Sequence, residues 1–175
     1  MRVAYLSGER LALRAMQAED KDHAAAWFDS SFPINVSRAE AFLNDELKSL
    51  SWRKVLLVAV SGDDDEIVGG VRVRTNGRHS DIHTHMAPLL AEADELRGEI
   101  LVLLVRWLRD EAEHISTTVD IAEDWPETIA AAEALGMEQT ARFREWYARP
   151  GGRTDRLVYQ ALRPYWLEKL GMHNA

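Results

Sequence analysis

A chain of 175 residues, 46% of them hydrophobic and 29% charged, has the make-up of an ordinary globular protein, expected as a single domain over 1–175. No apolar run approaches the roughly 18 residues of a membrane helix, Met1-Arg2-Val3-Ala4 does not read as a signal peptide, and the absence of cysteine excludes disulfide and thiolate chemistry and fits a cytoplasmic protein. A formal net charge of −8 argues against non-specific nucleic-acid binding, which needs a basic surface.

Residues 10–14 (RLALR) alternate apolar and charged side chains, the period of a strand with one wet face. Residues 17–28 follow as a helix, with Glu19 and Asp20 in its first turn, where the dipole favours carboxylates. Phe32-Pro33 breaks that pattern. Ser37-Arg38-Ala39-Glu40 then spells a capping box opening a second helix to about residue 50, and the cap accounts for Glu40 without a catalytic role. Strand-like runs at 55–60 and 67–74 flank an acidic turn whose Asp63, Asp64 and Asp65 lack calcium-loop spacing. Gly69-Gly70 predicts a bulge or a close backbone approach, and Asn76-Gly77 a hairpin into a strand at 80–87.

The stretch 87–109 reads as the central helix. Leu96, Ile100, Leu103, Leu104, Trp107 and Leu108 recur at helical spacing, and Val102 and Val105 widen the face enough to predict packing on more than one side. A strand, Pro88 and a helix start in succession aim backbone N–H groups at whatever sits there, a good place for an anion. Yet residues 92–95 (EADE) hold three carboxylates and no glycine. Residues 116–122 read as a strand, and Trp125-Pro126-Glu127-Thr128 starts a helix that Leu135-Gly136 ends. Residues 139–149 and 153–162 form a terminal hairpin around Pro150-Gly151-Gly152, followed by a short tail. Strand, two helices, three strands, helix, strand, helix, two strands: this order predicts an α/β (α+β) fold, a mixed sheet with helices on both faces. Core packing is the default for Trp27, Trp107 and Trp146, whereas Trp125, at a loop mouth, can line or plug a pocket.

His83 and His85 share one face of the strand at 80–87 with Asp81. Three readings stand: hydrogen-bonded strand residues, a general base, or the start of a metal site whose third ligand the sequence does not show.

This element order, with the residues on it, resembles the GNAT acetyltransferase superfamily, especially the branch that acetylates ribosomal-protein N-termini. Residues 6–14 (LSGERLALR) are similar to that branch's opening strand, with Glu19-Asp20 at its first helix start. Thr128-Ile129 through Ala132-Glu133-Ala134-Leu135-Gly136-Met137 resembles its later helix. Arg144-Glu145, Gly152-Arg153 and residues 155–159 (DRLVY) resemble its closing hairpin. The likeness covers nearly the whole chain and implies a mostly antiparallel, seven-stranded sheet.

It also implies an acyl-CoA-dependent N-acetyltransferase, in which a primary amine of a small molecule or a protein N-terminus attacks acetyl-CoA directly. Asp81, His83 or His85 would take the amine's proton and Tyr147 would be an acid for the leaving thiolate. Met86, Ala87, Leu89, Asp94, Glu95, Leu96, Arg97, Gly98 and Trp125 would line the cofactor, with amides near Met86 and at 96–98 polarising the thioester. The expected partner is the amine acceptor, with no nucleic acid and no membrane, and a homodimer stands open. The departure lies in the cofactor loop. The family's glycine-rich R/Q-x-x-G-x-G/A falls on Glu92-Ala93-Asp94-Glu95, with Glu99 on the helix's usual glutamate, and Trp125 stands where an Asn often faces the cofactor. Carboxylates there repel pyrophosphate by on the order of a few kcal/mol, while capping the same N–H groups themselves. A GNAT-fold ligand-binding or protein-interaction module that has lost CoA is therefore the alternative.

Overall fold

A computed structural model describes residues 4–17, 19–20, 37, 41, 44, 54–61, 66–87, 90–112 and 114–163. Eight strands form one sheet: β1 (Leu6–Ser7), β2 (Leu11–Ala15), β3 (Lys54–Ser61), β4 (Glu66–Asn76), β5 (His79–Met86), β6 (Ser116–Ala122), β7 (Glu138–Arg149) and β8 (Gly152–Leu162). Two helices, α1 (Ala93–Asp110) and α2 (Pro126–Ala134), are delimited among the described residues. The spatial order is β1-β2-β3-β4-β5-β6-β8-β7. Every neighbouring pair is antiparallel except β5 and β6, which are parallel and joined through α1. The expected mixed, mostly antiparallel sheet is present with one strand more than predicted. β1 is only two residues long, too short for an alternating pattern to show in sequence.

Period-two patterning explains the layers. Leu11, Leu13, Leu57, Val71, Val73, Ile82, Val119, Ile121, Leu157 and Tyr159 turn to one face of the sheet, where Leu96, Ile100, Leu101, Leu104 and Leu108 of α1 meet them in a single core. Val105 is fully buried and Val102 half-buried, as the broad apolar face of the helix required. The two helices lie against each other, with Gly98 at their contact: a Cβ there would stand 3.3 Å from the Glu127 carbonyl and 3.4 Å from Ala131 Cβ. α2 ends as predicted. The Met137 and Gly136 amides donate to the Ala132 and Glu133 carbonyls at 3.0 and 2.9 Å, a Schellman closure. The two helices predicted between residues 17 and 50 lie mostly outside the described residues, though Ser37, Ala41 and Asn44 are helical. No helix among the described residues is long and apolar enough to cross a membrane.

Two turn signals have physical consequences. β3 and β4 shift register between Ala59 and Val60, which leaves Val68 as the extra residue beside Gly69. A Cβ on Gly69 would lie 2.6 Å from the His85 carbonyl oxygen, so the bulge and the close backbone approach are both present. The hairpin after β4 turns one residue later than the Asn-Gly spelling suggested. Asn76 pairs with His79, which makes Gly77 and Arg78 the turn residues, and Gly77 at φ 63° takes the first position, as a type II′ turn requires.

Candidate active site

Strands β5 and β6 pair only from His79–Ser116 to Ile82–Val119, and beyond that point no pairing joins them. Two parallel strands that start together and part leave an opening in the middle of the sheet. On the face opposite α1 and α2, a cleft of about 400 Å³ lies across this point, lined by Asp81, His83, Thr118, Asp120, Arg156 and Val158 together with Ile82 and Val119. Alternation places Asp81 and His83 of β5 on this face. Register places Arg72 of β4 directly across from His83, and Arg74 across from Asp81. His85 is across from Gly70 and is not part of the cleft lining. The Thr118 hydroxyl donates to the Asp81 carboxylate, and Arg156 Nη2 pairs with Asp120 Oδ1 at 2.9 Å.

His83 is half-buried. Burial, and after it the Arg72 guanidinium, hold its pKa below the ordinary 6.5; Arg74 acts in the same direction, and Asp120 and Asp81 oppose them without prevailing. The imidazole is thus neutral at pH 7, the state a proton acceptor needs. No group of three metal-ligating side chains occurs among the described residues.

At the start of α1 two carboxylates are engaged with partners elsewhere. Asp94 does not cap its own helix. Its carboxylate accepts the amides of Glu127 at 2.8 Å and Thr128 at 3.1 Å, and the Thr128 hydroxyl at 2.6 Å, so it caps α2 from outside that helix. Glu92, the residue before α1, makes no side-chain cap either and pairs with Arg10 at 2.6 Å. The expected capping of α1 by its own carboxylates is therefore replaced by a tie between two helix ends. Replacing Asp94 by alanine is expected to cost about 1–2 kcal/mol, read as a lower melting temperature, with Asp94→Asn falling between the two. An unchanged melting temperature would show the tie to be without weight.

The remaining expected cofactor residues have the following surroundings. Met86 is buried in the core, and the Ala87 amide donates to the Val68 carbonyl at 2.8 Å. The Leu96 amide donates to the Glu92 carbonyl at 3.1 Å, and those of Arg97 and Gly98 lie within the helix, where the i to i−4 ladder engages them. The amides at 96–98 are thus not donors for a thioester. Glu95 is exposed, and Leu89 lies outside the described residues. Arg97 is buried with its guanidinium 3.6 Å from the Trp125 ring centroid. Tyr147 stacks on Trp125, with centroids 6.0 Å apart, and Arg149 stands 5.4 Å from the Tyr147 ring. Trp125 and Tyr147 thus belong to one aromatic–guanidinium stack, outside the cleft lining. Glu99 accepts the Arg10 amide at 3.0 Å and abuts Gly8, which ties the β1–β2 turn to α1.

Sequence reading missed Thr118, Asp120 and Arg156. All three lie on the wet face of strands that were predicted, and only strand order brings them beside His83. Trp146, expected in the core, is 51% exposed because a bulge in β7 carries it outward.

No family model and no curated protein matches the chain. Solved structures do. A provisionally named acetyltransferase of Sphaerobacter thermophilus is 48% identical over 94% of this chain and 99% of its own, with a TM-score of 0.75. The spermidine/spermine N-acetyltransferase SpeG of Vibrio cholerae matches at 15% identity over 91% of this chain and 96% of its own, TM-score 0.68. A GNAT-family acetyltransferase of Bacillus anthracis matches at 13% over 91% and 98%, TM-score 0.66. At those identities the last two are likenesses of fold.

Proposed function

Because the chain belongs to the acetyltransferase family of its 48% identical relative and has the GNAT fold, we propose that it transfers an acetyl group from acetyl-CoA to a primary amine held in the β5–β6 cleft. The observation that carries this reading is the parting of β5 and β6 beyond Ile82 and Val119, with a neutral His83 in the cleft at that point. When bound, the cofactor supplies an acyl carbon activated as a thioester. The unpaired edge of β5 past Ile82 fits the cofactor's extended arm, since its backbone groups are not engaged by β6.

The chain's own residues do the rest. The cleft admits the amine beside His83 and Asp81. His83 accepts a proton from the amine at a ring nitrogen, and Asp81, held by Thr118, offers a carboxylate to the ammonium on entry. Asp120 and Arg156 neutralise each other and shape the opposite wall. Tyr147, stacked on Trp125, is assigned no proton transfer. The reading also supplies an expectation for affinity. With Asp94 engaged in capping α2 and Glu95 exposed at the start of α1, pyrophosphate meets carboxylates where the family offers glycine amides, so CoA binds weakly and more weakly still at low salt.

That acidic start favours a second reading, a GNAT-fold binding or interaction module without CoA. Calorimetric titration of acetyl-CoA and of free CoA, paired with release of free CoA in the presence of a panel of amines, separates the two. Saturable binding with amine-dependent turnover supports the transferase. Absence of both leaves the module.

A further inference from the structure

We propose that the acceptor is a primary amine carrying an aromatic ring, and that Trp146 and Phe143 hold that ring at the rim of the cleft. This rests on the transferase reading above. β7 and β8 shift register twice, between Gln139 and Ala141 and, more widely, between Phe143 and Tyr147, which face Arg156 and Thr154, so residues 144–146 stand opposite Asp155 alone. The bulge is fixed in shape. Asp155 is buried and accepts the Glu145 amide at 2.8 Å and Arg142 Nε at 2.5 Å, while Arg153 Nη2 donates to the Trp146 carbonyl at 2.9 Å. Glu145 takes φ 51° within it, a left-handed conformation uncommon outside glycine.

The outcome is two large aromatic side chains in water. Phe143 is 43% and Trp146 51% exposed, with ring centroids 5.7 Å apart and planes tilted by 58°. Beneath them the Arg156 guanidinium lies 5.0 Å from one ring and 4.9 Å from the other, and the same side chain pairs with Asp120 in the wall of the cleft. The aromatic rim and the cleft therefore share a residue. Exposed aromatics on a fixed scaffold next to a concave site are the usual means of gripping an apolar ligand group.

Charge narrows the choice of amine. Among the described residues the carboxylates lining the cleft are Asp81 and Asp120, and Asp120 is already paired with Arg156. One ammonium can be met by Asp81. Strand spacing sets a minimum length: from β5 across β6 and β8 to β7 is three spacings, about 14 Å, or more where β5 and β6 part at His83, and a contact of roughly 3–4 Å at each end leaves at least about 7 Å between nitrogen and ring.

The test compares 4-phenylbutylamine, butylamine and spermidine as acceptors with acetyl-CoA, in the wild type, Trp146→Ala and Trp146→Phe. Expected is a kcat/KM at least about tenfold higher for 4-phenylbutylamine than for butylamine or spermidine. That ratio should collapse toward one in Trp146→Ala and survive largely in Trp146→Phe. Equal rates for the two monoamines, a ratio retained in Trp146→Ala, or a preference for spermidine overturns the inference while leaving the transferase intact. If no amine is acetylated, the transferase reading fails. Direct calorimetry then decides the rim: 4-phenylbutylamine binding to the wild type and about tenfold weaker in Trp146→Ala supports the aromatic site, and no difference overturns it.

Discussion

Asp20→Ala is expected to destabilise the protein by about 3–5 kcal/mol, the cost of breaking a buried ion pair from one side. Arg14, on β2, and Asp20 are 3% and 2% exposed. The guanidinium is met at both ends: Nη2 donates to Oδ1 at 2.7 Å and Nη1 to Oδ2 at 2.9 Å, while Oδ2 also accepts the Gln17 amide at 2.8 Å. Truncation strips a bidentate carboxylate from a buried cation and removes the anchor that fixes the chain as it leaves β2. The double change Arg14→Met with Asp20→Leu removes both charges and should recover most of the loss, because two desolvation penalties vanish together. Denaturant unfolding reads both variants, with the midpoint moving and the slope preserved. A loss below about 1 kcal/mol in Asp20→Ala would assign this pair the weight of a surface bridge.

Asp20 also shows where sequence reading stops. In the sequence it is an acidic residue in the first turn of a helix, and local physics explains it there without a partner. Its burial follows from Arg14, six residues earlier, facing the same way, which periodicity does not report. Asp94 is a stronger case. As a carboxylate at the start of α1 it reads as a local cap or a repeller of phosphate, but its partners lie 33 and 34 residues on, in a helix brought alongside by Gly98. The elements themselves were legible because β2 and β8 keep period two over most of their length and α1 keeps helical spacing over many residues. β1, two residues long, carries no period to read. In the candidate site, the shared face of Asp81 and His83 follows from alternation alone. Asp120 and Arg156 required the spatial order β5-β6-β8-β7, in which consecutive strands β7 and β8 exchange places at the sheet edge. Trp146 eluded the core assignment because one bulge reverses which way its side chain points.

Replacing His83 by glutamine, which keeps the size and a hydrogen-bonding amide but cannot hold the proton, is expected to lower kcat/KM for the amine by about 10²- to 10⁴-fold. The wild-type profile should carry an acid limb below pH 6.5, because burial first and Arg72 second hold the folded-state pKa under that value. The acceptor's own ammonium contributes a limb at higher pH that the variant shares, so the diagnostic feature is loss of the lower one. Linkage supplies a readout independent of turnover. A histidine whose folded pKa is depressed contributes stability that is complete above the unfolded value of 6.5 and is lost as pH falls through the folded value. Wild type should therefore lose stability toward acid more steeply than His83→Gln, which has no imidazole to protonate there. An unchanged kcat/KM with a retained acid limb would remove His83 from the chemistry. If the stability difference nevertheless appeared, the residue would remain a half-buried neutral histidine with a structural role, and the proton would leave through Asp81, among the described residues the remaining acceptor in the cleft without an arginine salt bridge.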